Sequence, residues 1–200
     1  MGKVAIRTYT REGCVVFLKT KDAFGGLSNM AGGFPLEVNG SRILTTEALY
    51  QACRFPHLGE VQRLIISQSS PMTAKMRSKP FRSQTRDDWL RVRVRIMRWC
   101  LACKLIQNRE VFSKLLMETK NLPIVEQSSK DKFWGAVPSG PNELVGANVL
   151  GRLLMELREK VINSQISLSE LEPPEVPNFL LYGAPIEIVT DAILRENSLF

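Results

Sequence analysis

Apolar residues change their spacing twice along the chain. Up to about residue 44 they come in short β-prone runs. Cys14-Val15-Val16-Phe17-Leu18 is one such run. Leu36-Glu37-Val38 and Arg42-Ile43-Leu44 flank Asn39-Gly40, a dipeptide that favours a two-residue hairpin because both positions tolerate positive φ. Between these runs lies the loop Phe24-Gly25-Gly26-Leu27-Ser28-Asn29-Met30-Ala31-Gly32-Gly33. Its glycines permit positive φ and close approach of backbone to a ligand.

From Thr45 the spacing is helical. Ala48, Leu49, Ala52 and Phe55 form the apolar stripe of a helix that Thr45 or Thr46 caps and Pro56 stops. Glu47, Tyr50, Gln51 and Arg54 fall at i, i+3, i+4 and i+7 and share its other face. A second short helix carries Val61, Leu64, Ile65 and Ile66, and Ser70-Pro71 opens a third. Thr85-Arg86-Asp87-Asp88 reads as the capped start of a long helix with Leu90, Val94, Met97, Leu101 and Leu105 as its stripe. Two further helices are expected at 111–119 and 149–162, the latter turning Leu150, Leu153, Leu154, Leu157 and Val161 to the core. After that the pattern breaks. Glu172-Pro173-Pro174-Glu175-Val176-Pro177 reads as an extended strap, since proline removes donors and fixes φ. Asn178-Phe179-Leu180-Leu181-Tyr182 is apolar enough to dock. The expected fold is α+β: a mainly helical single domain with a small N-terminal β-sheet. Residues 1–165 would form the body, and 166–200 a proline-containing C-terminal extension packed on it.

Composition narrows the class. Across 200 residues, 44% are hydrophobic and 24% charged, which excludes a disordered chain, a collagen and a coiled-coil rod. No apolar run approaches the roughly 18 residues of a membrane span, and Met1-Gly2-Lys3-Val4-Ala5-Ile6 lacks the apolar stretch of a signal peptide. A cytoplasmic protein without a membrane partner is expected.

The net charge of +7 is unevenly placed. Between residues 75 and 104 stand Lys75, Arg77, Lys79, Arg82, Arg86, Arg91, Arg93, Arg95, Arg98 and Lys104, opposed by Asp87 and Asp88 alone. Such a block reads either as a surface for a phosphate-bearing partner or as a solvated helix face. Cys100-x-x-Cys103 resembles half of a zinc site, but its neighbours Trp99, Leu101 and Ala102 suit buried thiols better. No P-loop or dinucleotide fingerprint appears, so neither metal nor cofactor is expected.

Four segments together resemble the NADAR family, named for its association with NAD and ADP-ribose. They are Phe24-Gly25-Gly26-Leu27-Ser28-Asn29-Met30, Thr46-Glu47-Ala48-Leu49-Tyr50-Gln51-Ala52-Cys53-Arg54-Phe55, Ser70-Pro71-Met72-Thr73-Ala74-Lys75, and Asp131-Lys132-Phe133-Trp134-Gly135 with Asn148-Val149-Leu150-Gly151-Arg152 through Arg158. The chain departs from the family pattern at Ala48, where a His is common, at Arg54, where a Lys is common, and at 143–147. The loop from Leu27 to Pro35 and the proline tail resemble the branch paired with DarT-type DNA ADP-ribosyltransferases, whose members remove ADP-ribose from guanine. The resemblance implies an ADP-ribosyl-guanine hydrolase, with ADP-ribosylated DNA or nucleosides as substrate and a DNA ADP-ribosyltransferase toxin as its counterpart. Two alternatives stay open: an N-glycosidase of riboflavin-pathway intermediates, and a non-catalytic ADP-ribose or nucleic-acid binding module.

Cleaving an N-glycosidic bond to a base passes through an oxocarbenium-like sugar, or through ring opening to an imine. Either route needs a carboxylate near the sugar. Glu47 suits that need; its alternative role is a first-turn acid favoured by the helix dipole. Lys19 is the candidate amine, provided burial lowers its pKa; otherwise it is an exposed strand-end lysine. Asp131 is the third catalytic candidate. Phe133 and Trp134 would stack a base or pack in the core. Asn148 and Gly151 would let a helix N-terminus approach a pyrophosphate, with Arg152 or Arg158 as clamp, unless Arg158 only pairs with Glu159 or Glu156 on the surface. The expected substrate contacts are completed by Gly26, Ser28, Asn29, Tyr50, Gln51, Arg54 and Gly135, and Lys75, Arg77, Lys79 and Arg82 would meet DNA phosphates. ADP-ribose is expected between the Phe24–Asn29 loop, the Glu47 helix and the Asp131–Arg158 segment.

Overall fold

The computed structural model describes residues 4–191, so the last nine residues of the expected extension lie outside the described part. The class is α+β. In chain order the elements are β1 (Arg7–Thr10), β2 (Val15–Phe17), β3 (Leu36–Val38), β4 (Ser41–Ile43), α1 (Thr46–Ala52), α2 (Gly59–Ile66), α3 (Pro71–Ser78), α4 (Trp89–Gln107), α5 (Arg109–Glu118), β5 (Ile124–Glu126), β6 (Val137–Pro138), β7 (Glu143–Gly146), α6 (Val149–Ile162), β8 (Glu170–Leu171), β9 (Leu180–Leu181), β10 (Ala184–Pro185) and β11 (Val189–Thr190). None of the helices in this part is long and apolar enough to cross a membrane. The contacts divide into two compact units, one of residues up to 28 with 110–166, the other of 29–109 with the residues from 167 onward.

In the first unit β1 pairs antiparallel with β7, which also pairs with β6. β2 runs parallel to β5, more than a hundred residues away in the chain. β1 and β2 therefore do not pair with each other; each finds its partner after residue 120. Tyr9, Val125, Ala136 and Leu144 form a buried cluster with Cys14 and Val16 against it. α6 packs on β5 through Leu150, Leu153, Leu154 and Leu157, all buried as their spacing predicts.

In the second unit α1 is enclosed by α2, α3 and α4, and every residue from Thr46 to Ala52 is buried. The β3–β4 hairpin turns at Asn39 (φ 48°) and Gly40 (φ 68°), the two positive angles a type I′ turn needs. Ser70 caps α3, its side chain accepting from Thr73 N at 3.4 Å, with Pro71 as first helical residue.

α4 differs from its expected form. Thr85-Arg86-Asp87-Asp88 does not cap it. The helix begins at Trp89; Thr85 accepts from Arg54, and the Asp88 carboxylate is held by Arg86. Val92, Ile96, Met97 and every residue from Trp99 to Ile106 are buried, so Met97, Leu101 and Leu105 of the expected stripe face the core, whereas Val94 is half-buried and Leu90 is 61% exposed. From Trp99 to Ile106 every residue but Lys104 is apolar, so periodicity there fixes no phase. Two cations of the basic block are buried. Arg86 is buried and also donates to the Pro177 carbonyl. Lys104 is buried with its Nζ 4.1 Å from the Phe34 ring centre, and burial pulls its pKa down to about 7.

The tail packs as a strap. Phe179 meets Trp99 edge-to-face at 5.1 Å. The fully buried Gln62 donates to Ala52 O (3.3 Å) and Leu180 O (2.9 Å) and accepts from Tyr182 N (2.7 Å), tying α1, α2 and the tail together. β8 closes on β11, and β9 on β10.

Candidate active site

The site grows from the start of α1. Thr45 caps the helix, accepting from Ala48 N at 3.2 Å. The Glu47 backbone N–H donates to Asn29 O at 3.0 Å, which fixes the loop before β3 against the first turn. Glu47 is 3% exposed. Asn29 Nδ2 donates to its Oε2, and Gln51 Nε2 donates to its Oε1 at 2.8 Å. Lys75 Nζ, on α3, stands 4.0 Å from the same Oε1 with its side chain half-exposed.

A second layer orients the first. Gln51 Oε1 accepts from Arg54 Nη1 and from Ser78 Oγ, both at 3.0 Å, so its amide nitrogen must face Glu47. Arg54 Nη2 donates to Thr85 Oγ1 at 3.0 Å. The Arg54 guanidinium lies 5.4 Å from the Trp89 ring and 5.6 Å from that of Phe55, and Tyr50 packs on Trp89 at 5.0 Å. The face of α1 expected to be polar is thus polar but enclosed.

Burial pushes the Glu47 carboxyl above the usual carboxylate range. Lys75, the two amide donors and Arg54 pull the other way. Every neighbour donates, so each bond favours the ionised form, and desolvation alone favours the neutral one. A carboxyl balanced in this way can stabilise positive charge developing on a sugar or hold a proton for a leaving group.

The remaining expected residues fall differently. Lys19 is exposed. It sits in a turn after β2, where Leu18 N and Lys19 N donate to Asp22 Oδ2 at 2.9 and 2.8 Å. Strand alternation does not extend to it, and the desolvation that imine chemistry requires is missing. Gly26 and Ser28 belong to a 3₁₀ turn, Gly25–Leu27, and its cap. A Cβ at Gly25 would overlap the Lys19 and Thr20 backbone, so this glycine serves the chain's own close packing. Positive φ appears further on, at Gly33 (83°).

Asp131 is exposed, and its Oδ1 accepts from Phe133 N and Trp134 N, both at 2.9 Å. One carboxylate oxygen therefore closes a local turn. Phe133 and Trp134 are half-buried and pack edge-to-face on each other at 5.1 Å. A Cβ at Gly135 would overlap the Glu126 carbonyl. Asn148 is fully buried at φ 48°, donating to Ile124 O (2.8 Å) and accepting from Glu126 N (3.1 Å). A Cβ at Gly151 would overlap Ile124 O and the Asn148 amide. These two residues seat α6 on β5, where a pyrophosphate approach was expected. Arg158 is buried, donating to Thr119 Oγ1 (2.7 Å) and Leu122 O (2.9 Å), and its Nε also stands 3.6 Å from Glu159 Oε1, the ion pair that was its alternative role. Arg152 keeps a buried Nη1 with no hydrogen-bond partner among the described residues.

Lys75 also stands beside the Glu47 carboxyl, a neighbour the sequence reading did not give it. Its charge put it in the basic block, yet it shares with Ser78, three residues on, the face of α3 that meets α1. The i, i+3 pairing was the available signal. Arg77, Lys79 and Arg82 are exposed on α3 and the 3₁₀ segment after it. Cys53, Cys100 and Cys103 are buried, and burial raises the Cys100 and Cys103 thiols well above their usual range, as befits core residues. Among the described residues no group of His, Cys, Asp and Glu could hold a metal ion.

The model of the NADAR domain matches residues 16–162. The chain belongs to the NADAR family. It is 34% identical over 163 residues to the N-glycosidase YbiA of Escherichia coli, covering 78% of this chain and 93% of that one. It is 32% identical over 171 residues to the chloroplastic riboflavin biosynthesis protein PYRR of Zea mays, covering 78% of this chain and 26% of that protein. The NMR structure of E. coli YbiA superposes with a TM-score of 0.65 at 30% identity, covering 78% of this chain and 89% of that one. The NADAR match includes Glu47, its amide donors and Lys75, and ends before the strap.

Proposed function

We propose that the chain hydrolyses N-glycosidic bonds, and that its substrate is ADP-ribose attached to guanine bases of DNA. In this reading it reverses the action of a DNA ADP-ribosyltransferase toxin. The buried, amide-clamped carboxyl of Glu47 beside Lys75 is the observation that carries it. As a carboxylate, Glu47 stabilises the oxocarbenium-like ribose while the base leaves and takes a proton from the water whose oxygen adds to the ribose carbon, that proton ending on the departing guanine nitrogen; general acid–base assistance of this kind is worth roughly a hundred- to ten-thousand-fold. Lys19 is exposed, so the direct hydrolytic route is proposed over an imine. The names of the relatives support N-glycosidase chemistry. The exposed Arg77, Lys79 and Arg82 support a polynucleotide carrier of the ADP-ribose.

A second reading is favoured by relatives named for riboflavin biosynthesis: a small riboflavin-pathway N-glycoside as substrate. The two separate in one experiment. The purified chain is incubated with guanine-ADP-ribosylated DNA, thymine-ADP-ribosylated DNA and riboflavin-pathway N-glycosides. Release of ADP-ribose from the guanine adduct alone is expected. Turnover of the small glycosides, with both DNA adducts intact, would replace the first reading by the second.

A further inference from the structure

A cleft of about 590 Å³ opens in the second unit between the loop before α4 and the strap. Its wall is built. Arg86 bridges the Asp88 carboxylate and the Pro177 carbonyl, locking loop to tail, and its Nη1 is buried without a hydrogen-bond partner among the described residues. The volume falls within the roughly 300–1,000 Å³ of small-molecule sites. Pro56 and Leu180 give it apolar lining.

The unused polar groups have a mixed character. Asp87 has no hydrogen-bond or ion-pair partner among the described residues, and neither do the side chains of Gln84 and Asn178. Asp88, in contrast, is consumed by Arg86. The Arg91 side chain is 77% exposed, 4.0 Å from Asp88. A carboxylate acceptor and a guanidinium donor lining one cleft suit a ligand with both donors and acceptors along its edge, and a bare anion poorly. Guanine has such an edge: N1–H and N2–H₂ donate side by side, a pair that one carboxylate can accept and that the other DNA bases lack, and O6 accepts next to them. Arg91 lines the cleft, and Arg82, next in the chain to the lining residue Ser83, is exposed; both can follow a strand's phosphates.

The cleft also connects to Glu47. Thr85 lines it and accepts from Arg54, which donates to Gln51, which donates to Glu47. We infer that this cleft is a nucleobase subsite that receives an unpaired guanine of the DNA strand, next to the nucleotide being processed. The inference rests on the proposed action on DNA but is tested without turnover.

The test uses the full chain and unmodified, fluorescein-labelled single-stranded oligodeoxynucleotides, identical except that one internal position is guanine or adenine. Fluorescence anisotropy reads binding. The guanine strand is expected to bind roughly tenfold tighter, the worth of one good base contact. Asp87→Ala, and separately Gln84→Ala, should erase that difference; both positions are exposed, so folding is preserved. Equal binding of the two strands by the unaltered chain would overturn the subsite. So would a preference that survives both substitutions but falls on Arg82→Ala, which would leave phosphate contact only. A guanine preference in a chain that releases no ADP-ribose would uphold the subsite and overturn the catalytic reading instead.

Discussion

Two regions stand out in the sequence for the same reason, and they have opposite physical characters. Around Glu47, polar side chains are buried and point at one another, and the charge balance of a single carboxyl hangs on them. In the segment from Asp131 to Arg158, polar side chains are bound to the backbone beside them. Asp131 closes a turn, Asn148 bridges β5 and Arg158 holds a carbonyl. The first arrangement is costly unless it does chemistry, because a desolvated carboxyl stabilises nothing by itself. The second is how a short strand and a helix are joined closely, and it explains a motif without any ligand. A motif's residues can therefore gather around a candidate catalytic carboxyl in one place and pack against backbone in another.

Substitutions can break this contrast, beginning with the largest structural effect. Gly151→Ala should lower stability by about 1–3 kcal/mol, toward the upper end because the obstacle is a backbone carbonyl. A thermal melt reads this, and an unchanged Tm would return Gly151 to the role of ligand contact. Asp131→Ala should cost about 0.5–2 kcal/mol, as loss of a capping acceptor does, and Asp131→Asn should restore most of it. If Asp131→Asn instead abolished turnover at unchanged Tm, Asp131 would be catalytic and the two regions would be alike.

Lys75→Met sharpens the other side. The ammonium lowers the Glu47 pKa, so its removal lets that pKa rise further. The ionised carboxyl is then lost at higher pH, and the acid limb of the kcat/KM–pH profile should move upward. A limb that stays in place would mean that Lys75 does not sense Glu47.

How much of this was legible depended on whether the signal was local. The hairpin at Asn39-Gly40, the capped helices at Thr45 and Ser70, and the span of α6 all follow from adjacent residues. The pairings β1–β7 and β2–β5 join strands far apart in the chain, and nothing in Arg7–Thr10 names its partner. The phase of α4 was hidden because 99–106, apart from Lys104, is apolar on all faces. Glu47, Gln51 and Asn29 were readable as a group, but Lys75 was masked by the charges around it, and Arg86 and Lys104 were counted as surface although both are buried.

Glu47→Gln is the most direct measurement. The side chain keeps its size and loses its charge, so the fold, followed by its melt, and binding of ADP-ribosylated guanosine should be largely kept. Turnover of the guanine adduct should fall roughly a hundred- to ten-thousand-fold. A Glu47→Gln variant that binds the adduct and cleaves it at near the original rate would contradict the assignment of Glu47 as the catalytic carboxyl.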